Sequence, residues 1–222
     1  MQNTTEFSFL QSGPDERLSA SLAGDIETQG YTILPNVLPQ HVSSAFEEYM
    51  ARLSSSSYHE GGIGRGLDEA TNPFVRRNHI HWLEESQTDL APWFQWIKQL
   101  QLYLNRHLFM GLFSFESHIA WYEPGGFYKR HVDAFRGESN RVLSLVTYLN
   151  RGWLPDQGGE FVLYPPGAAE QVIKVLPSYG TVVMFLSEEF PHEVLTSDRS
   201  RIAVAGWFRR NGSIGDQIDP PR

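Results

Sequence analysis

Tyr122-Glu-Pro-Gly-Gly-Phe-Tyr-Lys-Arg-His-Val-Asp133 is followed, after a short polar loop, by Arg141-Val-Leu-Ser-Leu-Val-Thr-Tyr-Leu-Asn150. Side chains of an extended chain alternate between faces, so His131 and Asp133 point the same way. A neutral imidazole and a carboxylate on one face are two ligands for a divalent metal. The second piece is a nearly continuous apolar run from Arg141 to Leu149, the pattern of a strand buried on both faces. Around this pair the chain stays β-like. Phe113–Tyr122 alternates, Tyr128–Asp133 begins the strand carrying the two candidate ligands, and Glu160–Tyr164, Gln171–Val175, Gly180–Leu186 and Ile202–Phe208 follow. Turns fall at Pro124–Gly126, Gly137–Asn140 and Asp156–Gly159. Many short strands separated by turns predict a sandwich or jelly roll.

The His-x-Asp pair alone is weak, because random placement of the histidines and aspartates gives about 0.3 such pairs in a chain of this length. Its surroundings carry the signal. His192, in Phe190-Pro191-His192-Glu193, lies 59 residues after Asp133, and Arg201 lies nine after His192. Two His and one carboxylate with the other positions open form the facial triad of non-haem Fe(II) oxygenases. A guanidinium just beyond the distal His suits a dicarboxylate cosubstrate, which it grips through two parallel hydrogen bonds. Alternatives stand beside each choice. His118 competes for the third ligand position, and Arg199 competes with Arg201. His79-x-His81-x-x-Glu84 hints at a second metal motif of the cupin type, but Pro73 stands where that motif's upstream glycine belongs. Alternating residues of a half-exposed strand explain it better.

These residues resemble the Fe(II)/2-oxoglutarate-dependent dioxygenases, and among them the prolyl hydroxylases of the hypoxia-sensing class and their bacterial relatives. The resemblance rests on Tyr122 to Asp133, Tyr148-Leu-Asn150, Gly158-Gly159-Glu160, Pro191-His192-Glu193-Val194 and Arg201-Ile-Ala-Val-Ala-Gly-Trp207-Phe208. A weaker match is Arg77-Asn-His-Ile-His-Trp82-Leu-Glu-Glu. It implies His131, Asp133 and His192 as ligands of Fe(II), with no separate acid–base residue. It implies Arg201 and Tyr148 as partners of the distal carboxylate of 2-oxoglutarate, and Tyr122 as the tyrosine at its iron-proximal end. O2 is then the second cosubstrate and ascorbate a supporting reductant. Arg141, Trp207 and Arg77 are the candidate substrate contacts. Ala205 departs from the family, whose closest members carry a small hydroxylated residue there.

The N-terminal third reads as support. Leu18, Leu22 and Ile26 recur on a helix from Asp15 to Gln29, stopped by Gly30. Tyr31–Leu34 is a short strand. Pro39 opens a second helix with Val42, Ala45, Phe46, Tyr49, Met50 and Leu53 on one face. A third helix starts at Thr88 or Asp89, has Pro92 in its first turn, and buries Phe94, Ile97, Leu100, Leu104 and Leu108. Between them, residues 54–76 are Ser- and Gly-rich, which suits a surface loop or, by the resemblance, a mobile lid over the active-site mouth. The expected class is α+β, mainly β: a double-stranded β-helix with N-terminal helices on one sheet. The expected layout is a mobile N-terminus (1–14), one dioxygenase domain (15–210; helical support 15–110, jelly-roll core about 112–210), and a C-terminal tail (211–222).

Composition narrows the function. A chain of 222 residues can bury a core without staples. It has no cysteine, which excludes disulfides and thiolate metal sites and is compatible with a reducing cytoplasm. No signal peptide or membrane span is legible. A net charge of −8 argues against a nucleic-acid partner. The leading expectation is a cytoplasmic dioxygenase that hydroxylates a prolyl residue of a protein substrate, with succinate and CO2 as coproducts. A hydroxylase of a free amino acid or other small molecule is the alternative, and a non-catalytic metal and 2-oxoglutarate sensor is a third.

Overall fold

Asp15 accepts a hydrogen bond from the Arg17 amide and caps α1 (Glu16–Gln29), which Gly30 ends in a left-handed turn. β1 (Tyr31–Leu34) and α2 (Gln40–Met50) follow, then β2 (His59–Glu60), β3 (Arg76–Arg77), β4 (His79–Leu83) and α3 (Ala91–Leu108). The remaining chain is β5 (Ser114–Tyr122), β6 (Phe127–His131), β7 (Arg141–Tyr148), β8 (Phe161–Leu163), β9 (Ile173–Val175), β10 (Val182–Leu186), β11 (His192–Val194) and β12 (Arg201–Arg209). The computed structural model describes residues 15–62, 72–134, 140–167 and 171–212. The expected mobile N-terminus, the centre of the expected lid, most of the turn at Gly137–Asn140 and most of the C-terminal tail lie outside the described residues.

The strands form two antiparallel sheets, one ordered β1-β10-β7-β12-β5-β4-β2 and one ordered β3-β6-β11-β8-β9. They face each other as the expected jelly roll. Along β12 the odd residues Arg201, Ala203, Ala205 and Trp207 share one face. They pair across to Tyr122, Ala120, His118 and Glu116 on β5, and Ala203 to Trp207 pair with Tyr148, Val146 and Ser144 on β7. This face looks toward the second sheet, where Ala120, Tyr122, Tyr148, Phe161, Leu163, Val183, Phe185 and Ala203 pack together. The opposite face carries Ile119, Leu143, Leu145, Met184, Val204 and Phe208, which pack against the helices. Two apolar layers therefore share the large sheet, and the polar exceptions on its inner face mark the site.

The helices cover one face of that sheet, as their periodicity requires. α2 buries Val42, Phe46 and Tyr49. α3 differs from the expected stripe: a 3-10 turn (Thr88–Leu90) precedes it, and Trp93 and Trp96 join Ile97, Leu100 and Leu104 as its buried residues. Phe94 and Leu108 are only half-buried. An 18-residue helix lying between α1, α2 and the sheet buries more than one narrow stripe. Full burial of each of these side chains contributes roughly 2–3 kcal/mol.

Other differences are local. β6 ends at His131, so Asp133 stands in the bend beyond the strand. β10 starts at Val182 because Gly180 is still in a turn, where its carbonyl accepts the Val37 and Leu38 amides. Pro39 precedes α2 rather than entering it. The Ser- and Gly-rich stretch is not wholly loop: Ser55–Ser57 form a 3-10 turn, and β2 and β3 add edge strands to the two sheets. Main-chain pairing with β4 and β6 supplies what side-chain composition does not reveal.

Candidate functional site

The end of β6, the bend after it and the start of β11 meet between the sheets. β11 pairs with β6 so that His192 lies opposite His131. Asp133 reaches both: its Oδ1 is 3.7 Å from His131 Nε2 and its Oδ2 is 3.6 Å from His192 Nε2. The three ligand atoms lie within 4.8 Å of one another, and no other such cluster occurs among the described residues.

Each ligand is oriented by its surroundings. His131 Nδ1 donates to the Lys129 carbonyl at 2.8 Å, and His192 Nδ1 donates to the Phe190 carbonyl at 3.0 Å. Both Nε2 atoms are thereby left as lone-pair donors for a metal. Ser144 donates to Asp133 Oδ2 at 2.6 Å. Burial pushes the His131 imidazole down to about 3, and the neighbouring His192 adds to this, so His131 is in its ligating form at neutral pH. Burial alone would raise the Asp133 carboxyl. His192, His131, Arg141 and the Ser144 hydroxyl outweigh it and hold the carboxyl well below the usual range.

Deeper between the sheets lies a second polar group. Arg201 is buried, with its guanidinium 4.9 Å from the Tyr122 ring and 5.1 Å from the Tyr148 ring. Its Nε donates to the Gly159 carbonyl at 2.9 Å. Gly159 holds that carbonyl at φ +73°, and a Cβ there would come within 2.8 Å of the Ser197 side chain. Arg201 Nη2 and the Tyr148 hydroxyl are both buried without a hydrogen-bond partner. Burial pushes the Tyr148 phenol well up, against the Arg201 charge, so it remains a donor. Two buried, unpaired donors beside a His–Asp–His cluster fit an anionic acceptor lodged next to a metal.

The mouth is aromatic and cationic. Arg141 lies 3.6 Å over the Trp207 ring and pairs with Glu116 at 2.6 Å. Arg209 also bonds Glu116. Trp82 stacks on His118, which in turn lies 5.4 Å from Trp207. Of the expected substrate contacts, Arg141 and Trp207 thus stand together. Arg77 is exposed on edge strand β3 and borders a cleft of about 160 Å³ with Glu60, Asn72, Arg76 and Glu123. Its neighbour Arg76 is the one that reaches His118 and Tyr128.

The competing residues go elsewhere. Arg199 bonds the Gly152 carbonyl and Gln157. His118 Nδ1 donates to the Ala205 carbonyl, and its Nε2 accepts from Arg76. His81 is held by Tyr49 and the Ser57 carbonyl. Ser144, Arg76 and Glu116 escaped the sequence reading. A lone serine in an apolar strand, in phase with Val146 and Tyr148 and so on the inner face, is the legible signal for the first.

The comparisons agree with this geometry. The family model of the 2OG-Fe(II) oxygenase superfamily matches residues 117–209. A prolyl-4-hydroxylase structure from Pseudomonas putida is 34% identical, with a TM-score of 0.78, and the match covers 87% of this chain and 100% of that one. A prolyl hydroxylase from Trichoplax adhaerens, solved with a hypoxia inducible factor oxygen degradation domain peptide fragment, is 23% identical, with a TM-score of 0.75 and coverage of 87% and 89%. A prolyl 4-hydroxylase from Phytophthora capsici is 24% identical, with a TM-score of 0.69 and coverage of 89% and 66%.

Proposed function

The chain belongs to the 2OG-Fe(II) oxygenase superfamily, and from that premise we propose that it hydroxylates a prolyl residue of a protein or peptide substrate, with succinate and CO2 as coproducts. Membership brings Fe(II), 2-oxoglutarate and O2 with it, and His131, Asp133 and His192 form the candidate iron triad. The observation that supports the finer reading is the 34% identity to the Pseudomonas putida prolyl-4-hydroxylase along that protein's whole length.

When bound, the iron and its two cosubstrates supply the oxidising power that inserts oxygen into an unactivated C–H bond. The protein's own groups bind, orient and shield. In this reading Arg201 Nη2 and the Tyr148 hydroxyl donate to the distal carboxylate of 2-oxoglutarate, which relieves both buried donors at once. Ala203 and Ala205, both small, share the face of β12 that carries Arg201, and Tyr122 stands beside its guanidinium. The Asp133 carboxylate, kept charged by its neighbours, holds its share of the metal without taking a proton. Arg141, stacked on Trp207 and paired with Glu116, is the side chain proposed to line the approach of a peptide. Residues 15–210 act as one catalytic unit.

The test adds purified protein, Fe(II), ascorbate and 2-oxoglutarate to an extract of cells lacking this protein, followed by mass spectrometry for peptides that gain one oxygen. A gain confined to a proline in one protein is the expected result. Succinate release without any modified peptide would overturn the peptide substrate in favour of a small molecule. Neither product, with metal bound, would overturn the enzyme in favour of a sensor.

A further inference from the structure

The three metal ligands are not held equally. Asp133 receives the Ser144 hydroxyl. The His192 ring packs in one cluster with Phe161 and Phe185, at 5.3 and 4.7 Å. His131 ends its strand, is the most exposed of the three, and has one hydrogen bond, to a carbonyl two residues back. One bond fixes its tautomer and leaves the plane of the ring to be set by what lies against it.

Tyr128 lies against it, with ring centroids 3.6 Å apart and planes within 16°. The Arg76 guanidinium also lies over the phenol ring, 4.6 Å from its centroid. Arg76 has no freedom of its own. Its Nε donates to Asn78 Oδ1 at 2.6 Å, Nη1 to the Gly62 carbonyl at 2.8 Å, and Nη2 to His118 Nε2 at 3.3 Å. A guanidinium only donates, so His118 Nε2 accepts and its Nδ1–H goes to the Ala205 carbonyl on β12 at 3.2 Å.

We propose that Tyr128, clamped by Arg76 and His118, is a positioning residue that fixes the imidazole plane of His131 for the metal. The stack runs from the centre of the large sheet to the most open ligand. It also ties the segment at Gly62, on the flank of the Gly-rich stretch, to the metal site. It rests on the triad, but not on the identity of the substrate.

The test is the affinity for Mn(II), a redox-inert probe, read from the electron paramagnetic resonance signal of the free ion. Thermal unfolding of the metal-free protein checks that each variant folds. Tyr128→Leu is expected to weaken Mn(II) binding at least ~10-fold, the lower end for residues that orient metal ligands. Tyr128→Phe, which keeps the ring, stays within about twofold of the unaltered protein if stacking is what matters. His118→Leu weakens binding several-fold, and the Tyr128→Leu/His118→Leu double variant is no weaker than Tyr128→Leu alone, because His118 acts through Tyr128. A folded Tyr128→Leu protein with unchanged Mn(II) affinity overturns the proposal, as do losses that add in the double variant. Should Tyr128→Leu not fold, unchanged affinity in His118→Leu overturns it alone. His131→Ala tests the triad separately, since the triad requires that variant to lose Mn(II) binding.

Discussion

Ser144 interrupts an apolar strand with a hydroxyl 2.6 Å from Asp133. Replacing it with Ala leaves the carboxylate one hydrogen bond short, and an expected loss of roughly tenfold in Fe(II) or Mn(II) affinity follows from the usual effect of such partners. Direct titration of the metal checks it. Tyr148 gives a prediction with two signs. Its hydroxyl is buried without a partner in the protein alone, so Tyr148→Phe should stabilise the cosubstrate-free protein by about 1 kcal/mol in urea unfolding. The same change should weaken 2-oxoglutarate about tenfold, since a carboxylate loses a donor. A variant that is less stable and binds 2-oxoglutarate normally would show that the phenol serves packing instead. Arg201→Lys keeps the charge but loses the planar fork, and is expected to raise the 2-oxoglutarate concentration needed for half-maximal turnover by 10-fold or more, on the order of 1.4 kcal/mol. The triad and Arg201 were readable because each is a chemically distinctive residue beside a strand of clear period. Arg76 was not: it and Arg77 are indistinguishable in sequence, and only the pairing of β3 with β6 decides which of the two reaches Tyr128.

Among the elements, the hairpin-like bend at Gly158–Gly159 does what its glycines announce. The Gly159 carbonyl holds Arg201 Nε in place, and both φ +73° and the close Ser197 side chain forbid a Cβ. Gly159→Ala is therefore expected to cost about 2 kcal/mol of stability and to impair 2-oxoglutarate binding with Arg201 itself intact. Denaturant unfolding and a cosubstrate titration on one preparation test both. Strands of the two sheets were legible to within two residues wherever alternation or an apolar run marked them. β2, β3 and β11 were not, because strands of two or three residues are set by partners far away in sequence. The tryptophans of α3 were missed for a related reason. Period alone locates a helix face, whereas its width depends on how many neighbours crowd it, and here α1 and α2 both do.

For the molecule as a whole, the two layers on either side of the large sheet link the site to stability. Burial and the Arg76 charge push His118 down to about 3, against an ordinary value near 6.5. Between those values the unfolded chain binds a proton that the folded chain refuses, so this contribution to stability is complete above pH 6.5 and is lost as pH falls towards 3. The slope from this one group is about 1.4 kcal/mol per pH unit. Unfolding followed from pH 7 to 4 should show the slope of His118→Leu smaller by about one proton. Saturating the metal-free protein with Mn(II) and 2-oxoglutarate at ~100 times their dissociation constants should raise the melting temperature by roughly 10–20 °C, and a chelator should reverse it. No helix among the described residues is long and apolar enough to cross a membrane.

The place of β12 carries a consequence for synthesis. This strand comes late in the chain yet lies between β7 and β5 in the large sheet, joining two strands that do not pair with each other without it. A nascent chain that has left the ribosome only as far as β10 therefore holds two half-sheets with an unfilled slot, and Arg201 is still in the exit tunnel. The sheet closes only once Arg209 has emerged, so closure and the arrival of Arg201 between the sheets are a single event. Until then both candidate iron-ligand histidines can already be outside, ahead of the arginine proposed to grip the cosubstrate.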